Sequence, residues 1–174
     1  MKIKLHFYYI CWIISIMYGC KNLHNQQNID ITEQWQNKKI IFPHTLQAND
    51  SIYDSLNKKT PYKIIRYIDS TDCLICNILL PHWERFYNQL NPTIPIHFFI
   101  HATKGKELVH RLKSENVHIN IHFDKNDRLN TLNKFPKDEK FQAFLIDSNN
   151  QIIIIGDPIR NLAIQKLYIE SITP

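Results

Sequence analysis

The sequence predicts an α/β fold, a three-layer sandwich in which a central mixed sheet carries helices on both faces. Three observations predict it. Short runs rich in β-branched and aromatic residues alternate with runs of helical period. The last two strand-like runs flank Ser148-Asn149-Asn150, which is hairpin-turn chemistry. The chain has 174 residues, 44% of them hydrophobic and 21% charged, which suits one well-buried domain with an appendage.

The elements follow in chain order. From about Ile31 to Pro61 the pattern is mixed; Lys39-Ile40-Ile41-Phe42-Pro43 reads as a short strand ended by proline, and Asn49-Asp50-Ser51 as a turn. Tyr62–Asp69 (YKIIRYID) reads as a buried strand. Ser70-Thr71-Asp72 offers helix N-caps. Cys76, Leu79, Leu80, Trp83, Phe86, Tyr87 and Leu90 then recur at helical spacing, so this segment reads as a helix kinked by the internal Pro81. Ile94–His101 is a second strand and Lys104–Glu115 an amphipathic surface helix. Val117–Phe123 alternates as a half-exposed strand does, and Asp127–Phe135 is a short helix. Phe141–Asp147 and Gln151–Gly156 form the hairpin. A final helix covers Asn161–Ser171, with Leu162, Ile164, Leu167, Tyr168 and Ile172 on its buried side.

The N-terminus reads as an address. Lys2 and Lys4 precede an apolar run from Leu5 to Tyr18, and Gly19-Cys20 follows. Such a run is short for a ~30 Å hydrocarbon core and suits the apolar part of a signal peptide. Met17-Tyr18-Gly19-Cys20 resembles a bacterial lipobox, with Tyr18 where a small residue is usual. The resemblance implies that Cys20 is acylated, as by palmitate, and begins the mature chain. A plain membrane anchor or an uncleaved signal is the other reading. The expected organisation is a signal peptide at 1–19, a lipid-linked tether at 20–33 and the folded domain at 34–174.

Composition excludes several functions. The net charge is +5, Lys2 and Lys4 contribute two of those charges, and the remainder is spread along the chain. That is no nucleic-acid signature. With three glycines in all and neither GxGxxG nor GxxxxGK[ST], a glycine-rich phosphate loop is excluded too. No Ser/His/Asp set or carboxylate pair has hydrolase spacing. No cofactor is expected, and the sequence leaves the oligomeric state open.

If Cys11 leaves with the signal and Cys20 takes lipid, Cys73 and Cys76 remain as the free thiols of an exported chain. They stand where a strand hands over to a helix. Unpaired N–H groups and the positive end of the helix dipole stabilise thiolate there. The i, i+3 spacing brings the second sulfur close enough for a disulfide. Cys73 reads as the attacking thiol and Cys76 as the resolving one. An idle, permanently oxidised pair and a metal clip are the alternatives. Zinc needs about four ligands, and only His82 lies nearby in sequence, so no metal is expected. His97, His101, His118 and His122 alternate along two strands and read as unrelated surface histidines rather than chelators. Trp83 and Phe86 read as core, although a tryptophan near the cysteines is also a candidate for lining a substrate groove.

From Tyr62 to Tyr168 the chain resembles the thioredoxin-like fold, in particular the small exported thioredoxin-like lipoproteins of Bacteroidota-type bacteria. Strand–Cys73-Leu74-Ile75-Cys76–helix, Pro81 five residues on, and Phe144-Leu145-Ile146-Asp147 before the hairpin turn carry the resemblance. It implies a membrane-anchored thiol–disulfide oxidoreductase of the cell envelope, acting on protein thiols and disulfides from the periplasmic face or the outer membrane. Two positions differ. The family's cis-proline before the hairpin falls on Phe141, or on Gln142 if the register slips by one, which makes both groove candidates. The family's buried acid falls on Tyr67. These differences favour the second expectation, a non-catalytic thioredoxin-like lipoprotein that serves as a binding or accessory module.

Overall fold

The strands form where β-branched and aromatic residues are concentrated, and the computed structural model shows five of them in one sheet. It describes residues 29–43, 56, 60–69, 79–90, 94–102 and 118–173. The chain divides into two compact units, Met1–Trp35 and Gln36–Pro174. In the first unit residues 29–35 are helical, overlapping the end of the expected 20–33 tether. The second unit holds the sheet.

Strand β1 (Tyr62–Asp69) leads to helix α1 (Leu80–Tyr87), β2 (Ile96–His101) and β3 (Asn120–Phe123). Helix α2 (Arg128–Asn133) and a 3-10 turn at Glu139–Phe141 precede the hairpin of β4 (Ala143–Asp147) and β5 (Ile152–Ile155). Helix α3 (Leu162–Ile172) closes the unit. The strand order is β3-β2-β1-β4-β5. β1 pairs parallel with β2, β2 parallel with β3, and the hairpin adds two antiparallel strands. This mixed sheet with helices packed on it is the architecture the sequence predicts.

The register assigns side chains to faces, because residues opposite one another share a face. Ile64 opposes Ile96 and Leu145, so Ile64, Ile68, Phe98, Ile100 and Ala143 line one face. There they meet Leu80, Trp83 and Phe86 of α1 and Tyr168 of α3 in one buried cluster. Trp83 packs edge-on to Phe98 with ring centroids 5.1 Å apart. Each such large side chain contributes about 1.5–3 kcal/mol when fully buried. The opposite face carries Ile65, Tyr67, Phe99 and Phe144; Phe135 packs on Tyr67 and Phe144 at 5.2 and 4.9 Å.

Several boundaries differ from the sequence reading. No single helix runs from Cys76 to Leu90: Leu79 has a left-handed backbone (φ 49°), and Pro81 sits in the first turn of α1. Proline lacks the N–H that a first turn leaves unbonded anyway, so it starts this helix rather than kinking it. Val117–Phe123 and Phe141–Asp147 shorten to β3 and β4. Lys39 makes one isolated bridge, to Gln151, and Lys39–Pro43 forms no longer strand. The Lys104–Glu115 helix lies outside the described residues. On α3, Tyr168 is fully buried, but Leu162 and Leu167 are exposed. They lie about 140° apart on the helix and cannot share one buried stripe. Asn161 caps α3 by accepting from the N–H groups of Ala163 and Ile164. Before it, Gly156 turns the chain at φ +132°, where a Cβ would meet Ile164 at 3.3 Å, so only glycine fits without strain.

Candidate active site at the carboxyl edge of the parallel strands

β1 is the central strand, and the chain leaving its end at Asp69 reaches Cys73 four residues later. Cys73 and Cys76 lie outside the described residues, as does Cys20. What is described is the strand from which the Cys73–Cys76 segment departs. In open α/β sheets ligands bind beyond the carboxyl ends of the parallel strands, and here those ends are Asp69, His101 and Phe123. Asp69 and His101 are the last register pair of β1 and β2. The His101 Nδ1 lies 3.1 Å from the Asp69 carboxylate, and the side chains are 28% and 50% exposed.

Two residues earlier on the same face of β1, Tyr67 stands where the sequence resemblance expects an acid. Its hydroxyl donates to Asp127 at 2.7 Å. Burial first, and then the bond to Asp127, push the Tyr67 phenol well above its ordinary pKa. The group stays protonated and does not do an acid's work. Asp124 is buried beside it and accepts from the Leu129 N–H at 2.7 Å, which fixes the start of α2.

The three groove candidates are all buried. Trp83 is 1% exposed and takes the packing role against Phe98 and Phe86. Phe141 ends the 3-10 turn at 7% exposure. Gln142 is 6% exposed; its carbonyl accepts from the Tyr67 N–H at 2.9 Å, and its side-chain amide donates to the Pro136 carbonyl at 2.9 Å. The peptide bonds of the described residues are all trans.

Sequence reasoning missed what holds this turn. Arg66 projects from β1 onto the α1/α3 face and is 3% exposed. Its guanidinium donates to the Glu139 carbonyl at 2.8 Å and pairs with Asp157 at 3.5 Å. Asp157 in turn donates its N–H to the Lys140 carbonyl and accepts from the Ile159 N–H. Arg160 adds contacts to Glu139 and Asp157. Burial pulls the Arg66 pKa down while Asp157 opposes it; an arginine remains charged regardless. The signal was present in YKIIRYID, where an arginine interrupts a buried strand and requires a partner.

The histidines correct the surface reading. His97 and His122 are buried, at 0% and 4% exposure, with Nδ1 of the first 2.9 Å from Nε2 of the second. Their rings stack at 5.2 Å, and Phe99 covers His122. Desolvation lowers their pKa values to about 3 and about 4, so both rings are neutral at ordinary pH. His118 is the surface residue expected, paired with Glu84 and stacked on Tyr87. Among the described residues no three histidine, cysteine, aspartate or glutamate side chains converge to hold a metal ion.

No family model matches the chain, and no curated protein matches it in sequence. Solved structures do match in shape. One is the thioredoxin domain of a thiol-disulfide oxidoreductase from Bacteroides vulgatus, at TM-score 0.52 and 13% identity, covering 66% of this chain and 81% of that one. Another is a candidate thiol:disulfide interchange protein DsbE from Chlorobium tepidum, at TM-score 0.51 and 15% identity, covering 67% and 84%. At such identities the likeness concerns architecture. Strand order, mixed pairing and these neighbours agree: the chain has a thioredoxin-like α/β fold.

Proposed function

We propose that the chain is a membrane-anchored thiol–disulfide oxidoreductase of the cell envelope, exchanging the Cys73/Cys76 dithiol with protein disulfides. One observation carries the reading: the CxxC follows directly on β1, the central strand of a sheet shared with proteins named as thiol-disulfide oxidoreductases. The Cys73 thiolate attacks one sulfur of a substrate disulfide and expels the other as a thiolate, giving a mixed disulfide. The Cys76 thiolate then attacks the Cys73 sulfur, releasing the second substrate thiol and closing the Cys73–Cys76 disulfide. Two electrons pass from the dithiol to the substrate. Trp83, Phe141 and Gln142 are all buried, and in this reading they support the fold rather than touch substrate.

The anchor in this reading is lipid on Cys20 after removal of 1–19. Among the described residues no helix is long and apolar enough to cross a membrane. Cys20→Ser is expected to abolish acyl labelling, and unchanged labelling overturns the anchor. For the reaction, Cys76→Ala is expected to trap mixed disulfides in cells; a variant that traps none removes the enzyme reading.

The second reading, a thioredoxin-like binding or accessory module, is favoured by Phe141 and Tyr67 standing at the positions of the family's proline and acid. Thiol titration separates the two. An idle pair stays oxidised at ordinary dithiol potentials, and Cys73→Ser then leaves function intact.

A further inference from the structure

The buried histidine pair lies under a strap, residues 37–43, that runs from the edge of β5 to α2. At β5 the Asn37 N–H donates to the Ile152 carbonyl at 3.0 Å, the Ile152 N–H to the Lys38 carbonyl at 2.8 Å, and the Ile40 N–H to the Asn150 carbonyl at 2.9 Å. At α2 one side chain brackets one residue. Asn133 accepts from the Ile41 N–H at 2.9 Å and donates to the Ile41 carbonyl at 2.8 Å. Between these two anchorages Ile40 is buried, and Phe42 packs on Phe99 with ring centroids 5.8 Å apart. Phe99 lies on His122 at 4.7 Å, and His122 on His97 at 5.2 Å. A continuous stack of rings therefore leads from the strap to the imidazoles.

A protonated imidazole has two N–H groups to satisfy. On His122, Nε2–H has His97 Nδ1 at 2.9 Å, but Nδ1 has no hydrogen-bond partner among the described residues. A charge buried with an N–H unanswered is costly, and water answers it once the covering layer moves. The strap is the layer held at two anchorages rather than built into the sheet, and such segments open locally. We infer that residues 37–43 form an acid-opened lid and that protonation of His122 is its trigger. The proton comes from solvent, and opening bares Phe42 and Phe99 along with the ring. Burial holds the His122 pKa at about 4, whereas a hydrated ring returns to about 6.5. The open form thus binds more protons and gains as pH falls. Lys63, Tyr67 and Asp69 face the same way from β1, and His97 and His101 from β2; Asp124 and Asp127 follow β3. Asp69 engages His101, Asp127 engages Tyr67, and Asp124 the Leu129 N–H. No carboxylate among them bonds His122. Lys63 acts on His97, adding to the burial that keeps that ring neutral. Lys38 and Lys39 of the strap and Arg128 of α2 are exposed.

The test is hydrogen exchange of the full chain, detergent-solubilised, at pH 7 and pH 5, read by peptide mass. Each rate is divided by that of an unstructured peptide at the same pH, giving a protection factor. Peptides over residues 37–43 report the strap, and peptides over β1 report the sheet. Strap protection is expected to fall about twentyfold from pH 7 to pH 5, the ratio for one ring that titrates at about 4 closed and about 6.5 open. β1 is expected to stay at least tenfold better protected than the strap at both pH values. His122→Phe keeps a ring against Phe99, and His122→Gln keeps a polar side chain; neither titrates, and both are expected to bring the strap ratio to about one. Asn133→Ala is expected to lower strap protection about tenfold at both pH values and to keep the twentyfold ratio. A wild-type ratio near one, or a ratio near twenty in either His122 variant, overturns the inference. So does a strap that exchanges at the same rate as β1 at pH 5, because the whole unit then opens rather than the lid. Unchanged strap protection in Asn133→Ala overturns the latch at α2 and the lid with it.

Discussion

Two polar pairs are buried on opposite faces of the same sheet, and they meet burial in opposite ways. Arg66 and Asp157, on the α1/α3 face, keep their charges. The guanidinium has a carbonyl and a carboxylate, and the carboxylate has a second arginine and a backbone N–H. His97 and His122 share one polar contact of 2.9 Å, and among the described residues His97 Nε2 and His122 Nδ1 have no hydrogen-bond partner. Whichever imidazole donates, one N–H and one lone pair remain unanswered. A strongly basic group survives burial by acquiring partners, whereas imidazole gives up its charge. The first pair ties the turn before β4 to the central strand; the second limits how acidic a medium the fold tolerates.

The largest effect expected comes from breaking the charged pair on one side. Arg66→Met leaves Asp157 buried with Arg160 at 3.6 Å as its remaining cation, and a loss of about 3–5 kcal/mol is expected on urea unfolding. Adding Asp157→Asn removes the stranded charge and keeps an acceptor for the Ile159 N–H, so the double variant recovers most of the loss. A single variant within about 1 kcal/mol of wild type breaks the comparison, because it denies that the partners matter.

The histidine pair is read through pH. Both folded pKa values, about 3 and about 4, lie below the ordinary 6.5. Between those limits the unfolded chain binds more protons than the folded one. Stability is therefore fully present above about pH 6.5 and is lost as pH falls, with a loss on the order of 3 kcal/mol by pH 5. Replacing both with leucine is expected to flatten that part of the profile, measured as the difference between variant and wild-type urea midpoints at pH 7 and pH 5. It also removes two unsatisfied nitrogens, each costing about 1–3 kcal/mol. Parallel profiles exclude the buried neutral pair.

The same pair shows where the sequence stops being legible. VHINIHF alternates as a half-exposed strand does, and the histidines of both VHINIHF and IPIHFFIH read as surface residues. In a sheet covered on both faces period two sorts residues between two interiors, so a histidine between isoleucine and phenylalanine has no solvent to face. Arg66 differs: an arginine inside a buried strand signals the need for a partner, but Asp157 is distant in sequence and nothing local identifies it. The strands themselves were legible because YKIIRYID, FQAFLID and QIIIIG carry β-branched and aromatic residues bounded by turn chemistry. The final helix was legible from its helical spacing, and Asn161 proves to cap it by a local device. The start of α1 was not, because the left-handed Leu79 is imposed by the surroundings and leaves no mark in the spacing. For the site, the strand that precedes the CxxC was legible, whereas Cys73 and Cys76 lie outside the described residues.

An intermediate case lies between the two pairs. Tyr67 shares a face with the histidines but has an answer for its hydroxyl, the Asp127 carboxylate at 2.7 Å. Tyr67→Phe removes a bond to a charged acceptor and leaves packing on Phe135 intact. The expected loss is about 1.5 kcal/mol, with no change of slope between pH 7 and pH 5. A pH-dependent loss there assigns part of the acid sensitivity to Tyr67 and weakens the case for the histidines.

The smallest effect tests whether burial, rather than pairing as such, sets these magnitudes. Lys166 and Glu170 form an i, i+4 ion pair on α3 at 3.6 Å, with side chains 76% and 57% exposed. Water already solvates both charges, so little is regained by pairing them, and salt screens what remains. The order is also the less favourable one, since glutamate preceding lysine suits the helix dipole better. Lys166→Ala is therefore expected to change stability by less than about 0.5 kcal/mol, with the better helix propensity of alanine offsetting part of the lost pair. A loss matching that of Arg66→Met means that pairing matters irrespective of burial. In that case the contrast between the two faces of the sheet reflects the number of partners, not the absence of water.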